Sequence, residues 1–420
     1  VYARTQKGDR PATLKDLVRL DPSTVKLWNG KRWTQVLAWN ESPRKGDELE
    51  IELRSGERIA STLEHRWPTQ RGLVETVGLR PGDTTDECRL PEPEAPHRPT
   101  LLDDADIGWL AGFYLAEGNH VPGGIAFSTH AGETEYTDRI KRIAESYDCT
   151  FKKHDARDGN GAVSVVFGPV MVGIVDSYIT GATAKDKHLS MRCWKRSDAF
   201  LRSLAQGYLD GDGGHDAANN RWRLGFCAND ALASDLRTLA ARIGARVRLR
   251  RAVHVNTLTE KKHPGWKGEW RFDPVRGSAL PCTFKASANG EIVAIRAARA
   301  RVFWDVTVED DPHLFALASG VLTHNCNAMP ESVQDRPTTA HETVFLLARS
   351  ERYYFDADAV RVAHAKGSAE HVAKYFNDDA GAAYSNKHAT HGTGNGHTQL
   401  RAMGELNPAG RNIRTSDFHT

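Results

Sequence analysis

Apolar and polar residues alternate through Glu48-Leu49-Glu50-Ile51-Glu52-Leu53-Arg54 ahead of a Ser55-Gly56 turn, the period of two that a half-buried strand requires. Shorter runs of this kind, such as Lys26-Leu27-Trp28 before Asn29-Gly30, recur through residues 1–98 and predict a strand-rich region. Pro91-Glu92-Pro93-Glu94-Ala95-Pro96-His97-Arg98-Pro99 reads as a linker. A mixed helix and strand pattern follows to about residue 285. Strand character returns at Val302-Phe303-Trp304-Asp305-Val306-Thr307-Val308 and His313-Leu314-Phe315-Ala316-Leu317, and a turn at Gly320 leads into Val321-Leu322-Thr323. Beyond residue 326 the pattern changes again and ends in a Gly-, Asn- and His-rich stretch at 377–398 that reads as a loop.

The returning strands deliver the triplet His324-Asn325-Cys326. Asparagine can turn its side-chain amide nitrogen on its own backbone carbonyl and cut the chain after itself. Cysteine is a nucleophile able to accept an acyl group, and a neighbouring histidine can polarise the peptide between them. A bare triplet arises by chance, so its weight comes from the two strands that precede it.

A second pattern lies in the middle region. Leu110-Ala111-Gly112-Phe113-Tyr114-Leu115-Ala116-Glu117-Gly118 matches Ala205-Gln206-Gly207-Tyr208-Leu209-Asp210-Gly211-Asp212-Gly213 in register, with Glu117 against Asp212. The two acids are about 95 residues apart, a spacing that predicts internal duplication. Small residues at Ala111, Gly112, Ala116, Gly207 and Gly211 would let two helix backbones approach closely. Each helix would end at glycine with its acid in the last turn, where the helix dipole disfavours an anion. Two such carboxylates brought together call for a cation, and Mg2+ takes carboxylate and phosphate oxygens. The plainer alternative is a pair of tightly packed helices with solvated ends.

The chain has 420 residues and a formal net charge of +2, so about three domains are expected and nothing global demands nucleic acid. Charge is local instead: Arg242, Arg246, Arg248, Arg250, Arg251, Lys261, Lys262, Lys267 and Arg271 fall close together, as a solvated face or a phosphate-tracking surface. The six cysteines form no CxxC pair, which argues against a zinc ribbon or a disulfide scaffold and fits a reducing cytosol. No apolar run is long enough to span a membrane. Val1-Tyr2-Ala3-Arg4-Thr5 lacks an initiator Met and a signal-peptide core, and Thr420 ends no evident domain, so a fragment open at both termini is expected.

The triplet and its preceding strands resemble the C-terminal splice junction of inteins. Gly56–His65 is similar to that family's Thr-x-x-His block, which implies that Thr62 and His65 polarise the upstream scissile peptide. Arg301–Ala318 resembles the penultimate block, where Asp305 would couple the two cleavage steps and His313 would assist the last. Asn325, His324 and Cys326 would carry the junction chemistry, with no cofactor. Inteins begin with Cys or Ser, whereas Val1-Tyr2-Ala3-Arg4 looks like the later part of the first strand. Cyclisation of Asn325 is therefore expected to remain open to this chain, but the N-terminal acyl shift is not.

The paired acidic segments resemble LAGLIDADG homing endonucleases over roughly residues 100–285. That resemblance implies a saddle of strands on double-stranded DNA, Glu117 and Asp212 as metal-binding and catalytic acids with Mg2+, and phosphate contacts from the Arg/Lys cluster. Lys187-His188-Leu189-Ser190 is similar to the family's Lys-x-Ile-Pro element, with Ser190 in place of Pro, and would make Lys187 the assisting lysine; a surface loop lysine is the alternative. The run from Asn327 to Asp356, with Gly410-Arg411-Asn412-Ile413-Arg414, closely resembles DNA methyltransferases acting on adenine N6 or cytosine N4. The catalytic Asp-Pro-Pro-Tyr and the S-adenosylmethionine-binding Phe-x-Gly-x-Gly loop of that family are absent, so this stretch is expected to be inactive as a methyltransferase. His388, His391 and His397 read as part of a target-contacting loop rather than a metal site.

The expected architecture is multi-domain. A discontinuous all-β Hint splicing domain would occupy 1–98 and 286–325. An α/β LAGLIDADG endonuclease of two pseudo-symmetric halves would lie at 99–285, and an α/β methyltransferase fragment at 326–420. The chain is expected to be a monomer whose partners are double-stranded DNA and the flanking extein segments. A free-standing endonuclease, or a methyltransferase with an inert insert, are the competing readings.

Overall fold

The computed structural model describes residues 1–325 apart from 44–45, 95, 97–103, 131, 156–160, 228, 256–259, 273–288 and 300–301. These residues all fall within one compact unit, Val1–Met329. The expectations placed on Cys326, on 326–420 as a whole, on Gly410–Arg414 and on His388, His391 and His397 lie outside the described residues.

Two stretches far apart in sequence build the β part. Trp33–Pro43 pairs antiparallel with Val302–Val308, and the sheet continues through Lys26–Trp28 and Tyr2–Thr5 to Gly8–Pro11. A second sheet sets Leu49–Leu53 between Arg58–Ser61 and Ile292–Ala297. The alternation at 48–54 explains this strand: Ile51 and Leu53 are buried and pack with Trp67, Ile292 and Val321. The chain leaves the β part beside the place where it returns. Thr85 N donates to Gly290 O at 2.9 Å, and Ile292 N donates to Asp83 O at 2.7 Å.

The middle region is two copies of one plan, a helix, two strands, a helix and two strands. The first copy runs from helix Asp104–Glu117 through strands Gly118–Val121 and Gly124–His130, helix Thr134–Ser146, and strands Thr150–Asp155 and Gly161–Phe167. Helix Asp198–Asp212 begins the second, followed by Gly213–Asp216, Arg221–Cys227, helix Asp230–Ile243, Ala245–Val255 and Lys262–Phe272. In both sheets the strand order is first, second, fourth, third. The first copy adds a helix, Pro169–Tyr178, after its last strand.

The two acidic helices meet backbone to backbone. A Cβ on Gly112 would stand 1.9 Å from Leu204 O, and one on Gly207 would stand 2.0 Å from Trp109 O. Gly108 and Gly211 make the same close approach, their Cβ positions falling 2.6 Å from Phe200 O and from the Ala116 Cβ. Only glycine fits at such a seam. The terminal glycines act differently from left-handed caps: Gly213 has φ −103° and leads directly into a strand. Its side is filled instead, because a Cβ there would reach 2.4 Å from Leu209 O.

The β part covers the outer edge of the second α/β sheet. Leu249 N donates to Ser55 O at 2.9 Å, which satisfies an edge strand that would otherwise be open. Beneath this contact lies a buried polar knot. Arg242, 0% exposed, donates to the Tyr2 hydroxyl at 2.8 Å and to Asp198 Oδ1 at 2.9 Å, while Arg89 donates to Asp198 Oδ2 at 2.5 Å. Arg242 therefore cannot serve as the phosphate contact that its place in the basic run implied. It closes the helix that ends at Ile243 and ties that helix to the first strand of the β part.

Candidate functional site

Asn325 is fully buried at the end of the hairpin Leu314–Ala316/Leu322–His324, whose turn Gly320 closes at φ +86°. Its backbone N donates to His313 O at 2.8 Å. The side-chain amide is best oriented with its nitrogen donating to His313 O and its oxygen accepting from Val308 N, both at 3.1 Å. Val308 is available for this because regular pairing with Trp33–Pro43 shifts register between Thr307 and Val308. His313 sits at φ +58°, a left-handed conformation that costs a β-carbon residue about 1–2 kcal/mol. That turn aims its carbonyl at Asn325, while its Nδ1 donates to Val308 O at 3.0 Å.

His324 is buried beside His313, the rings meeting edge to face at 6.2 Å. Burial pushes its imidazole below the usual range, and a hydrogen bond with the Asn325 backbone opposes that shift. His65 reaches the same hairpin from the other end of the chain: its Nε2 lies 2.5 Å from Thr323 Oγ1, and its ring meets Trp67 edge to face at 5.0 Å. Burial and then the neighbouring His324 press its pKa down to about 4, so this ring is neutral at physiological pH.

Thr62 is half-buried and accepts from His65 N through its backbone carbonyl at 3.3 Å, forming the tight turn that presents the histidine. Asp305 lies on the strand Val302–Val308. Its carboxylate accepts from Val306 N at 2.8 Å, and its ladder partner is Asn40. Thr323 had no role in the sequence reading; its place one residue before His324 was the available signal.

At the helix seam, Glu117 and Asp212 end their helices side by side; a Cβ on Gly211 would lie 3.1 Å from Glu117 Cγ. Burial, then the charges of Asp212 and Glu133, push the Glu117 carboxyl up to about 7, against the pull of Lys187. Burial also raises Asp212, opposed by the Tyr208 hydroxyl that bonds it and by Lys187. The two acids thus share a site with too little positive charge to keep both ionised, which is the electrostatic condition a divalent cation relieves.

Lys187 is 4% exposed and donates from Nζ to Tyr114 O and Gly118 O, each at 3.0 Å. It caps the carbonyl end of the first acidic helix and faces both carboxylates electrostatically. A surface-loop lysine is excluded by this burial. Helix Asp230–Ile243 holds its segment: Asn229 Nδ2 donates to Lys187 O at 2.6 Å, and Leu189 N donates to Asp235 Oδ2 at 2.8 Å. Asn229 also caps that helix through Leu232 N at 3.0 Å.

Two carboxylates match the ligand type and number that Mg2+ takes from protein. No group of three or more His, Cys, Asp or Glu suited to a metal occurs among the described residues. Oxygen ligands of this kind suit hard cations rather than thiolate- or imidazole-bound transition metals.

Strand pleating gathers Arg221, Arg223, Arg248, Glu269 and Arg271 on one face of the second α/β sheet. Acids interleave them: Glu269 pairs with Arg221 at 2.8 Å and with Arg248 at 3.5 Å, while Asp216 pairs with Arg223 at 3.2 Å. Arg250 and Lys267, opposite one another, are exposed. No helix among the described residues is long and apolar enough to cross a membrane.

No family model matches the chain. Its structural neighbours include LAGLIDADG proteins: the N-terminal LAGLIDADG domain of DUF199/WhiA (TM-score 0.28, 10% identity, 42% of this chain and 80% of that one) and mesophilic variants of the homing endonuclease I-DmoI (TM-score 0.28, 9% identity, 40% and 88%). Another is the Msm DnaB1 intein splicing domain bound with zinc (TM-score 0.17, 24% identity, 20% and 62%).

Among curated proteins, the type II methyltransferase M.Cfr9I of Citrobacter freundii is 56% identical over 45 residues, 11% of this chain and 15% of that protein. An iron-sulfur cluster assembly SufBD family protein of Mycobacterium tuberculosis is 31% identical over 287 residues, 64% of this chain and 31% of that protein. The chain thus spans under a third of either relative.

Proposed function

We propose that the chain is a protein-splicing element of the intein class, carrying a DNA endonuclease and interrupting a DNA methyltransferase. The observation that carries the reading is Asn325: fully buried, its amide nitrogen held by His313 O, with the buried ring of His324 next to it in sequence. In this reading the amide nitrogen of Asn325 attacks its own carbonyl carbon. The peptide bond to Cys326 breaks, a succinimide forms, and the released amine of Cys326 takes up the proton the amide loses. His313 O withdraws density from the amide proton and makes the nitrogen a better nucleophile. His324 polarises the carbonyl that is attacked. Holding the amide and the carbonyl in one fixed geometry can contribute ~7–11 kcal/mol to such an intramolecular step.

Two unlike relatives support the portable character of the element. The match to a SufBD family protein takes 64% of the chain, and the match to a methyltransferase takes 11%, so the two leave room to be different stretches with different origins. The second match supports a methyltransferase host.

For the nuclease, Glu117 and Asp212 would hold Mg2+, which when bound activates water and stabilises the leaving oxygen of a phosphodiester. Lys187 would keep the charge balance between the acids, and Arg250 and Lys267 would meet phosphates of double-stranded DNA.

Incubation of the purified chain tests the splicing chemistry. A fragment beginning at Cys326 should accumulate, should vanish in Asn325→Ala and should persist in Cys326→Ala, because no cysteine is needed for cyclisation. Equal cleavage in Asn325→Ala, by mass spectrometry, would assign the cut to a contaminating protease and overturn the reading.

A further inference from the structure

We infer that Thr323 is a positioning residue that fixes the tautomer of His65, so that Nδ1 carries the proton. The inference rests on the splicing reading for its purpose, though not for its geometry. Thr323 is 2% exposed, on a strand paired with Leu314–Ala316, and its hydroxyl lies 2.5 Å from His65 Nε2. A hydroxyl with so little access to water must donate to a partner within reach.

The neutral imidazole has one donor and one acceptor nitrogen, and the group bonded to the first decides the state of the second. Thr323 donating to Nε2 makes that nitrogen the acceptor and places the ring proton on Nδ1. Trp67 against the ring holds the plane in which this bond is made. Burial keeps the ring neutral across the working pH range, so the choice between tautomers is not erased by a second proton.

The chemical consequence is directional. A histidine that polarises a scissile peptide needs an N–H to give, and only one ring nitrogen can have it. The residue that selects this nitrogen stands two positions before Asn325 and 258 residues after His65, and so belongs to the opposite end of the element. Final placement of the downstream hairpin thereby decides which ring nitrogen of His65 carries the N–H.

Nitrogen NMR of the full chain labelled with 15N-histidine tests this, in an Asn325→Ala background that keeps the chain intact. His65 should show a protonated Nδ1 and a bare Nε2 from pH 5 to 8. Thr323→Ser, which keeps the hydroxyl, should leave both signals in place. Thr323→Val, nearly the same shape, should mix the tautomers and move the titration midpoint up by about one pH unit, the worth of one net hydrogen bond to the neutral ring. A wild-type His65 with its proton on Nε2, or an unchanged Nδ1 proton in Thr323→Val, would overturn the assignment. A Thr323→Val chain that misfolds would show shifts at every histidine, and Thr323→Ser then decides: loss of the Nδ1 proton there also overturns it. Cleavage at Cys326 is not the readout, so failure of splicing and failure of the tautomer assignment are told apart.

Discussion

The Lys187 ammonium donates to the backbone carbonyl of Gly118, the residue immediately after Glu117, from a segment gripped by the second α/β copy. One buried cation thus serves as helix cap for the first copy and as counter-charge for an acid from each. Lys187→Met should lower stability by about 2 kcal/mol, because buried carbonyls lose a donor. It should also raise the carboxyl titration of Glu117 further, since the opposing charge is gone. Thermal denaturation as a function of pH reads both effects; an unaltered melting profile would remove the capping role.

The raised Glu117 carboxyl makes stability fall as pH rises. Below about pH 4.5 the group is protonated folded and unfolded, and contributes nothing; from there to about 7 only the unfolded chain releases its proton; above 7 the penalty is complete. Solvent access limits it to roughly 1–2 kcal/mol. At pH 8 without divalent cation, Glu117→Gln should therefore melt higher than wild type. Added Mg2+ should raise the wild-type midpoint and leave the variant nearly unmoved, by calorimetry.

The helix seam predicts opposite outcomes for glycines of similar helical setting. Gly112→Ala and Gly207→Ala each place a Cβ within about 2 Å of a carbonyl oxygen of the facing helix, and should cost about 3 kcal/mol or more. Gly173, in helix Pro169–Tyr178, has nothing within 4 Å of its Cβ position. Gly173→Ala should instead stabilise by about 0.5–1 kcal/mol. Urea denaturation of the three variants checks the sign in each case.

Arg242→Met should destabilise by about 3 kcal/mol, since Tyr2 and Asp198 lose a buried partner. The loss should fall on the contact between the β part and the second α/β copy. Unfolding followed by Trp fluorescence and by circular dichroism should coincide in wild type and separate in the variant.

The two-residue alternation at 48–54 and the small residues spaced along both acidic segments were legible because each is a local periodicity. The helix seam carries the pattern in full: Gly112 and Gly207 are where the backbones touch. Arg242 was misread because a run of arginines looks alike whichever element it falls on. Arg242 belongs to a helix end and turns inward, whereas Arg248 and Arg250 ride one face of a strand. The neutralising acid Asp216 lies outside the basic run, and Glu269 meets Arg223 and Arg248 only through strand register. His65 and Thr323 were separately visible as a motif and a flank; their hydrogen bond spans 258 residues, and no local pattern announces it.

The adjoining backbone bonds at Thr85–Gly290 and Asp83–Ile292 make a neck from which the whole middle region hangs. Were that region an unstructured tether of about 200 residues, drawing its ends together would cost about 5 kcal/mol of chain entropy. Folded, it presents its two ends already close and removes that cost. A substitution that silences the acids while preserving the fold leaves the neck shut, whereas one that melts the helix seam loosens it. Loss of chemistry in the middle region is thus tolerable to the β part in a way that loss of its shape is not.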